Sequence, residues 1–504
     1  MKIKKIGIDL GTTYSFAGFL HGDRVMPLIP SRETYGIPSV FYYDGINRIV
    51  GRMAERRALN NPQNAVWSVK RNLSRKDFLV GGRRFTPKEI IREIIAYIVS
   101  CAEQQLTNVY LEEYDEIEAV ITVPVDFTEP MKNLIREAGE QTRTANGKPL
   151  RITGILEEPV AAAMEYFGVR KEQDADIVVF DLGGGTFDAA IVRAHAQGTI
   201  PYEVIDQEGD RSLGGDDWDR LICDRIIEQY QRKFGEKPAR QMESQFLIEA
   251  RKIKEELTEL ESVDVDIPVK GSYITFTMSR KEFELMSRPL LDRALQKIRM
   301  LLSRQPDTEI NHVILTGGSS YMPQIMNGLR QSGIFGQETD FLFIEPEHAI
   351  AYGAARYAVT RVCAEDMLIQ PEKMVIRRSA HAYGIEYHFE DQGRDLVRII
   401  IPRGVKLPYS GTVDSYTRVK NQRCSVFDVY EADCAESEEA VKTEEAHQIM
   451  QVEMNRKEII VPIGTRTSET LTLSSDGLLS IKSIDHNSGI EVNNSVSIQR
   501  FMEE

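Results

Sequence analysis

Two copies of one short pattern, far apart in the chain, constrain the fold more than any other feature of the sequence. Residues 6–14 read IGIDLGTTY, and residues 177–188 read IVVFDLGGGTFD. Each copy is an apolar run that ends in Asp-Leu-Gly, followed by a turn of Gly and Thr and a second apolar run, which is typical of a β-hairpin. One such hairpin is more often a plain turn than a binding site. Two copies with Asp, Gly and Thr in register favour a shared function.

Both turns have the composition of a phosphate-binding loop. Glycine lets the backbone approach a polyphosphate and direct its N–H groups at it, and threonine adds hydroxyl donors. Asp9 and Asp181 stand where the first strand of each hairpin ends. A carboxylate there would repel bare phosphate, so we expect a cation between the two, and Mg²⁺ is the ion that most often bridges them.

Length and composition fit a soluble protein of two to four domains. The chain has 504 residues, of which 42% are hydrophobic and 28% are charged, and both values are ordinary for globular proteins. The net charge of −15 argues against a nucleic acid or an anionic membrane as the main partner. The five cysteines have no paired metal-ligand spacing, and no apolar run suggests a signal peptide or a membrane span. We therefore expect a cytoplasmic protein with reduced thiols.

The predicted secondary structure changes near residue 365. Before this point, short apolar strands alternate with helical stretches, which is an α/β pattern. Thr86 opens a capping box that predicts a helix with one isoleucine face, and further helices are predicted from Glu158 and over 244–259. After this point, alternating strands predict a small antiparallel β domain. Its predicted elements are strands at 397–401, 424–430 and 458–462 and a hairpin over 469–484.

Further segments accompany the two hairpins in a recognisable order. They read NPQNAVWSVKR at 61–71, LEEPVAAA at 156–163, LTGGSSYMP at 315–323 and EPEHAIAYGAA at 345–355. In this order and spacing, the segments resemble the seventy-kilodalton heat-shock chaperone family (DnaK-like). The resemblance covers the entire chain and is strongest over residues 1–360.

The resemblance implies an architecture and a set of ligands. It implies an α/β actin-like, two-lobed ATPase domain over 1–368, an interdomain linker over 369–378 and an all-β sandwich that binds peptide over 379–504. The implied ligands are ATP or ADP with Mg²⁺, and K⁺ as a further cation. The implied partners are unfolded or extended polypeptides, J-domain co-chaperones and nucleotide exchange factors, with no nucleic acid and no membrane. Because the sequence has no match to the family's C-terminal helical lid, we expect a lidless member.

The resemblance also implies roles for individual residues. Lys70 matches the lysine that positions the attacking water, and Glu158 matches the carboxylate beside it. Phosphoryl transfer needs positioned charge more than covalent chemistry, so these residue types suit it. The implied catalytic set is Lys70, Glu158, Asp181 and Thr186. The acids that hold Mg²⁺, mostly through water, are Asp9, Asp181 and Asp188. The nucleotide-binding positions are Gly11, Thr12, Thr13, Tyr14, Gly183, Gly184, Gly185, Lys254, Thr258, Gly317, Gly318, Ser319, Tyr321 and Glu347.

The chain departs from the family pattern at the nucleoside. Arg251 stands where the family usually has an acid for the ribose. Glu255 and Tyr321 stand where some members place arginines on either side of adenine. A tyrosine ring supplies apolar area and can stack on a base instead.

The linker and the peptide cleft depart as well. The linker segment 372–379 reads EKMVIRRS, which is basic and carries less apolar surface than the family's leucine run. By the resemblance, the strands of the peptide cleft carry His388, Arg418 and Ser425 at positions where apolar residues usually line the groove.

Three functions fit these observations. The first is a slow ATPase that acts as a chaperone and couples ATP hydrolysis to binding and release of polypeptide. The second is a regulatory or scaffold ATP-binding protein of the same fold with low turnover, which the polar linker and cleft favour. The third is a small-molecule kinase on the actin-like fold, which would leave the β domain unexplained.

Overall fold

The computed structural model describes most of the chain and divides it into two compact units. The described residues are 2–30, 36–144, 147–170, 175–194, 202–344, 348–366, 375–376, 378–379, 381–389, 394–418, 422–432, 434, 438–456, 461–474 and 479–495. The first unit comprises residues 1–127, 134–196 and 207–369, and the second comprises residues 128–133, 197–206 and 370–504. Within the described ranges, no helix combines the length and the apolar character needed to cross a membrane.

The chain up to residue 366 alternates strands and helices, as its α/β pattern predicts. The helices are α1 (Arg52–Asn60), α2 (Pro87–Asn108), α3 (Glu129–Glu140), α4 (Glu158–Arg170), α5 (Gly215–Phe234), α6 (Arg240–Glu259), α7 (Arg280–Ser303), α8 (Pro323–Gln331) and α9 (Ala349–Asp366). The strands are β1 (Ile3–Asp9), β2 (Tyr14–His21), β3 (Arg24–Pro27), β4 (Ile37–Pro38), β5 (Phe41–Tyr43), β6 (Arg48–Val50), β7 (Ala65–Val66), β8 (Phe78–Val80), β9 (Arg83–Phe85), β10 (Glu116–Val123), β11 (Leu150–Glu157), β12 (Asp176–Leu182), β13 (Phe187–Ala194), β14 (Tyr202–Asp210), β15 (Ser262–Val269), β16 (Ser272–Ser279), β17 (His312–Thr316) and β18 (Asp340–Phe343). Short 3₁₀ turns cover Pro62–Asn64, Val69–Asn72 and Gly318–Tyr321.

Two sheets built on the same plan carry the two hairpins. The first has the strand order β11-β10-β1-β2-β3, and the second has the order β18-β17-β12-β13-β14. In the first sheet, β1 runs antiparallel to its hairpin partner β2 and parallel to β10. In the second, β12 runs antiparallel to β13 and parallel to β17. Both predicted hairpins are therefore confirmed, and each sits at the centre of its sheet.

Local signals explain where the helices begin. Thr86 accepts a hydrogen bond from the Glu89 backbone N–H while the Glu89 carboxylate accepts one from the Thr86 N–H, so the predicted capping box is confirmed. Such a cap contributes about 1 kcal/mol to a helix. The isoleucine face of α2 is fully buried, at Ile90, Ile91, Ile94, Ile95 and Ile98. The helices predicted from Glu158 and over 244–259 are also confirmed, as α4 and α6.

The second unit is rich in strands. They are β19 (Val375–Ile376), β20 (Ala382–Phe389), β21 (Arg394–Ile401), β22 (Tyr409–Tyr416), β23 (Cys424–Ala432), β24 (Ala440–Lys442), β25 (Ala446–Asn455), β26 (Arg466–Leu473), β27 (Leu479–Asp485) and β28 (Glu491–Ser495). Strands β20 to β28 form sheets of order β24-β21-β20-β23-β25 and β22-β26-β27-β28, and β19 pairs in parallel with β14. The predicted strands at 397–401 and 424–430 and the 469–484 hairpin are confirmed. The strand predicted at 458–462 lies mostly outside the described residues, and its described part, Val461 and Pro462, belongs to no strand.

A buried ion pair lies in the second unit. The Arg456 guanidinium donates to Asp485 at 2.5 Å and to the Ser425 hydroxyl at 2.8 Å, and both charged side chains are fully buried. Burial by itself would raise the pKa of Asp485. The charged hydrogen bond from Arg456 and the N–H groups of Ser488 and Asn487 outweigh burial, so that pKa is lowered. The stabilisation is therefore complete above the unfolded carboxyl value of about 3.9 and is lost as the pH falls below it.

Arg456→Met is expected to destabilise the second unit by about 3–5 kcal/mol, because it leaves the Asp485 carboxylate buried without its partner. Calorimetry of the intact chain measures the change. Arg466→Met is the matched control, since Arg466 pairs with Asp414 at 2.9 Å but is about half exposed, and an exposed pair is worth at most about 1 kcal/mol. Equal losses from the two substitutions would contradict the expectation.

Candidate functional site

The tips of the two hairpins meet face to face in the first unit. A Cβ atom on Gly184 would lie 2.0 Å from the Thr13 hydroxyl oxygen, and one on Gly185 would lie 2.2 Å from Thr12 Cγ2. No residue larger than glycine fits at either position without moving the opposite loop. The first loop (residues 10–13) and the second loop (residues 183–186) therefore present their backbone to one common space, as a phosphate-binding pair requires.

Ser39 holds the first loop in shape, and no motif in the sequence marks it as a site residue. Its hydroxyl donates to the Gly11 carbonyl at 2.8 Å, and its N–H donates to the Thr13 carbonyl at 2.8 Å. Ser39 also contacts the buried Ser15 hydroxyl at 2.9 Å. Ser39 therefore occupies the carbonyls of Gly11 and Thr13. The Thr13 hydroxyl is buried and has no hydrogen-bond partner.

Lys70 and Glu158 form a buried ion pair beside the loops. Lys70 lies in the 3₁₀ turn Val69–Asn72, and Glu158 is the first residue of α4. The Lys70 ammonium donates to the Glu158 carboxylate, and the two residues are each only 4% exposed. A buried charge persists only when it is paired. The predicted catalytic lysine and its carboxylate are therefore in direct contact.

Asp9, Asp181 and Asp188 are buried close to this pair. Burial is the largest influence on each, and it raises the pKa of Asp9 to about 7 and the pKa values of Asp181 and Asp188 well above the usual carboxyl range. The negative charge of Glu158 raises all three further, while Lys70 opposes the shift at Asp9 and Asp181. Such a group of buried acids is stabilised by added positive charge.

The acids fit a hydrated cation better than a directly coordinated one. One carboxylate oxygen of Asp181 and one of Asp188 are buried without a hydrogen-bond partner. The other Asp188 oxygen accepts from the Val125 N–H at 2.8 Å. In the part of the chain that the structure describes, no set of three or more His, Cys, Asp and Glu side chains is arranged to hold a metal directly. The chemistry of this donor set suits Mg²⁺, which usually keeps several of its waters.

The N-terminus of α5 closes against the same loops. The N–H groups of Gly215 and Asp216 donate to the carbonyls of Gly183 and Gly184 at 2.9 and 2.7 Å. Arg71 donates to the Gly185 carbonyl and pairs with Asp217 at 2.7 Å. These contacts fix the back of the second loop. Neither the α5 acids nor Arg71 was among the predicted site residues, although Gly-Gly-Asp-Asp before an apolar stripe was a readable sign of a helix start.

A cavity of about 350 Å³ opens next to the loops. Its walls include Thr12 and Thr13 of the first loop and Arg251 of α6; the remaining lining residues are Ser39, Val40, Glu55, Trp67, Ser68, Arg71, Asn72, Asp216, Asp217, Arg220 and Leu247. Ser68 donates to Asp216 at 3.0 Å. The space has the volume of a small-molecule site and adjoins the loops that face it.

Arg251 and Lys254 share the carboxylate of Asp219. Arg251 contacts Asp219 and Asp216, each at 3.1 Å, and Lys254 lies 2.7 Å from Asp219. Burial by itself would lower the pKa of Arg251. The negative charges of Asp219 and Asp216 outweigh burial, so the pKa of Arg251 is raised. The guanidinium that replaces the family's acid is thus neutralised by two local acids. The other predicted residue of α6, Thr258, donates from its hydroxyl to the Lys254 carbonyl at 3.3 Å.

The turn after β17 packs on the base of the second loop. Gly317 has a φ of 77°, and a Cβ there would lie 2.4 Å from an Asp181 carboxylate oxygen. Ser319 is buried, and its hydroxyl lies 2.2 Å from where a Cβ of Gly215 would be. Gly317 and Ser319 thus bring this turn against the second loop and the start of α5, and Tyr321, which is 42% exposed, ends the turn.

The remaining predicted residues lie outside the described ranges or in the second unit. Glu347 lies outside the described residues, as does the side chain of His388. In the second unit, Gln422 accepts from the Arg418 N–H at 3.2 Å and donates to the Ser425 hydroxyl at 3.2 Å. Arg418 and Ser425 are therefore near one another, and the Ser425 hydroxyl also binds Arg456.

The fold and the opposed loops define a class of protein. Two mixed α/β sheets, each presenting a Gly-Thr hairpin, are the architecture of two-lobed nucleotide-binding domains, here followed in sequence by β-rich sheets. The profile of the Hsp70 protein family matches residues 5–80 and 76–503. The chain therefore belongs to the Hsp70 family. Members of this family are ATPases that bind ATP or ADP with Mg²⁺, and membership implies an ATP-dependent, chaperone-type function.

Proposed function

We propose that this protein hydrolyses ATP slowly and couples hydrolysis to the binding and release of a polypeptide client. The observation that carries the proposal is the buried Lys70–Glu158 pair beside two opposed Gly-Thr loops. In this proposal, residues 1–368 form the ATPase domain, 369–378 the linker and 379–504 the client-binding domain. J-domain co-chaperones and nucleotide exchange factors, typical partners of the family, are proposed partners of this chain too.

The proposed chemistry assigns each group one task. The N–H groups and hydroxyls of the two loops bind the phosphates, with Thr186 at the end of the second loop. Asp9, Asp181 and Asp188 would hold Mg²⁺ through its waters, and the ion supplies charge neutralisation at the phosphates. Glu158 fixes the Lys70 ammonium, whose remaining N–H groups orient a water toward the terminal phosphate. Positioned charge of this kind is the main requirement of phosphoryl transfer.

The nucleoside is assigned to the surface formed by α6 and the turn after β17. Gly317 lies against the base of the second loop, and Ser319 and Lys254 contact Gly215 at the start of α5, which supports their assignment. Gly318 is assigned with them as the residue between Gly317 and Ser319. Thr258 lies on α6 and Tyr321 ends the turn after β17, while Glu347 is proposed from the resemblance alone. Arg251 is assigned to the ribose side, where its paired guanidinium can donate to a hydroxyl oxygen but cannot accept from one.

A second candidate function is a regulatory or scaffold ATP-binding protein with low turnover. The polar surroundings of Ser425, with Gln422 and the buried Arg456–Asp485 pair behind it, favour a polar, dedicated partner over varied apolar segments. The two candidates differ in turnover and in client range.

The proposal is tested by incubating the intact chain with a permanently unfolded model protein, with Mg·ATP or Mg·ADP, and measuring both phosphate release and the fraction of client bound. A chaperone releases phosphate and holds less client with ATP than with ADP. A scaffold protein binds ATP with little phosphate release and leaves the unfolded protein in solution. A chain that binds neither nucleotide would contradict both candidates.

The described linker residues make a small charged cluster within the second unit. Val375 and Ile376 pair with Tyr202 and Glu203 of β14. The Glu203 carboxylate contacts Arg378 at 3.2 Å and Lys406 at 2.9 Å. Burial by itself would raise the pKa of Glu203. The hydrogen bond and the charge of Lys406, together with Arg378, outweigh burial, so the pKa of Glu203 is lowered. The basic linker that the sequence displays thus has an acidic partner at Glu203.

Glu203→Gln is expected to raise the rate of tryptic cleavage within residues 373–378 about tenfold, because a charge-assisted hydrogen bond contributes about 1.5–3 kcal/mol and cleavage follows the open population. The measurement is limited proteolysis of the intact chain with ATP and with ADP. Glu453→Gln, an exposed acid on β25, is the control. A cleavage rate that Glu203→Gln does not change would show that the linker is held by its apolar strand contacts alone.

A further inference from the structure

A strongly basic stretch lies in the first unit of an otherwise acidic protein. Residues 48–92 contain twelve Lys and Arg against three Asp and Glu, although the whole chain has a net charge of −15. Of these basic residues, only Lys70 and Arg71 belong to the candidate nucleotide site. The β8–β9 hairpin and the residues just before it carry a basic patch of four exposed side chains, at Arg75, Lys76, Arg83 and Arg84.

Buried aromatic rings hold the basic patch together. The Arg83 guanidinium lies over the Phe85 ring, 5.0 Å from its centroid. The Arg75 guanidinium lies over the Phe78 ring at the same distance, and Phe78 and Phe85 are cross-strand partners. A cation over a ring keeps its charge while its position is fixed. The hairpin therefore presents these charges side by side on one surface.

The basic patch has more positive charge than its own surroundings balance. Arg84 pairs with Asp77 at 2.6 Å. Within the described residues, no ion pair is formed by Arg75, Lys76 or Arg83. Like charges close together repel one another, and an acidic partner relieves that repulsion. The surface is therefore suited to a negatively charged ligand.

A stretch of the second unit has the complementary charge. Residues 431–445 contain seven Asp and Glu and one Lys. Four of these acids are described and exposed and form an acidic segment within 438–445, at Glu438, Glu439, Glu444 and Glu445. Glu445 pairs with Lys442 at 3.1 Å, and the other three form no ion pair with any described residue. The segment includes β24, which is an edge strand of its sheet.

We propose that this protein associates head to tail, with the basic patch of one copy bound to the acidic segment of a second copy. A contact between two different surfaces leaves one patch and one segment unused in every pair, so the assembly extends beyond a dimer or closes into a ring. Exposed ion pairs contribute little individually and are screened by salt. The association should therefore be transient and should weaken as the salt concentration rises.

Other anionic partners fit the basic patch less well. Single-stranded nucleic acid is bound through aromatic rings that stack on bases, and the rings of the patch, Phe78 and Phe85, are only 9% and 0% exposed. A nucleic-acid duplex or an anionic membrane presents a wide negative surface, which the acidic remainder of the chain would repel. An acidic polypeptide segment is narrow enough to meet the patch alone, and the chain itself carries one.

Sedimentation velocity of the intact chain tests the proposal. The wild-type weight-average mass should rise at least about twofold with protein concentration in about 0.01 M NaCl and should stay monomeric in about 1 M NaCl, because the screening length falls from about 30 to about 3 Å. The patch variant should stay monomeric in both; it carries Arg75→Gln, Lys76→Gln and Arg83→Gln. The control loses the same charge from exposed positions elsewhere and should associate like the wild type; it carries Arg232→Gln, Lys252→Gln and Arg288→Gln.

A mixing experiment tests which surfaces meet. The segment variant should also be monomeric by itself; it carries Glu438→Gln, Glu439→Gln and Glu444→Gln. Each variant keeps the surface that the other has lost, so an equal mixture of the patch and segment variants should form one-to-one dimers that do not extend. Carbodiimide coupling of mixed ¹⁴N and ¹⁵N wild-type protein should join Lys76 to the acidic segment between two copies.

Several results would overturn the proposal. A wild-type chain that is monomeric at every concentration and salt would show that the basic patch is a solvated surface. Self-association that survives in both variants would place the contact elsewhere. Carbodiimide links formed only within one copy would show that the two surfaces meet inside a single molecule. Binding of an RNA oligonucleotide or of anionic vesicles to the patch of a protein that stays monomeric would assign the surface to that partner instead.

Discussion

Lys70→Ala is expected to lower the rate of ATP hydrolysis about 100-fold or more and to change the dissociation constant of Mg·ATP by less than about threefold. The reason is that a group that acts only in the transition state contributes to turnover and little to ground-state binding. Single-turnover phosphate release and equilibrium binding, measured on the same preparation, give the two quantities separately.

The design needs two controls, because Lys70 is buried against Glu158. Its removal leaves a buried carboxylate unpaired, which is itself destabilising. Lys70→Ala combined with Glu158→Gln restores the charge balance and should remain as inactive as the single variant. Lys76→Ala removes an exposed lysine from the same segment and should hydrolyse ATP at the wild-type rate. Hydrolysis that survives in Lys70→Ala would remove Lys70 from the catalytic set.

Asp181→Asn is expected to have opposite effects on activity and on stability. The variant loses an acid assigned to Mg²⁺, so Mg·ATP affinity and turnover should each fall about 100-fold. The nucleotide-free protein should melt about 2 °C higher, because the substitution removes a carboxyl whose ionised form is disfavoured by burial and by the charges of Glu158 and Asp9. Active sites commonly contain such costly charge, and relieving it trades activity for stability.

The matched variant is Asp176→Asn on the same strand. Asp176 pairs with Arg193 at 2.6 Å near the surface, so this variant should keep nucleotide binding and should gain no stability. Differential scanning fluorimetry with and without Mg·ATP reports both properties. An Asp181→Asn protein that melts lower than the wild type and still binds Mg·ATP tightly would show that Asp181 is a structural residue.

The strands, turns and helix that carry the site could be predicted wherever neighbouring residues in the sequence indicate the local structure. The hairpin at Asp9 and the one at Asp181 follow from short-range alternation and turn composition, and both formed as expected. The helix that begins at Glu158 follows from its proline and its run of small apolar residues. These signals are local because strand and turn preferences are properties of neighbouring residues along the chain.

Other parts of the site had no such signal. Ser39 secures the first loop at Gly11, yet its own surroundings in the sequence are those of an ordinary loop serine. Arg71 and Asp217 meet across 146 residues, and the sequence suggested neither as a partner of the other. Contacts of this range depend on how whole sheets and helices pack, which local propensity does not encode.

The sequence by itself determined the identity of the main elements and the family, since two Asp-Gly-Thr hairpins and the segments around Lys70, Glu158 and Gly317 occur in a specific order. Only the tertiary structure decided which side chains of those elements come into contact. It brought Lys70 to Glu158 across 88 residues and neutralised Arg251 with Asp216 and Asp219. The physical reason is that the hydrophobic pattern of the sequence determines which face of a helix or strand is buried, while the packing of those faces sets the distances on which charge pairing depends.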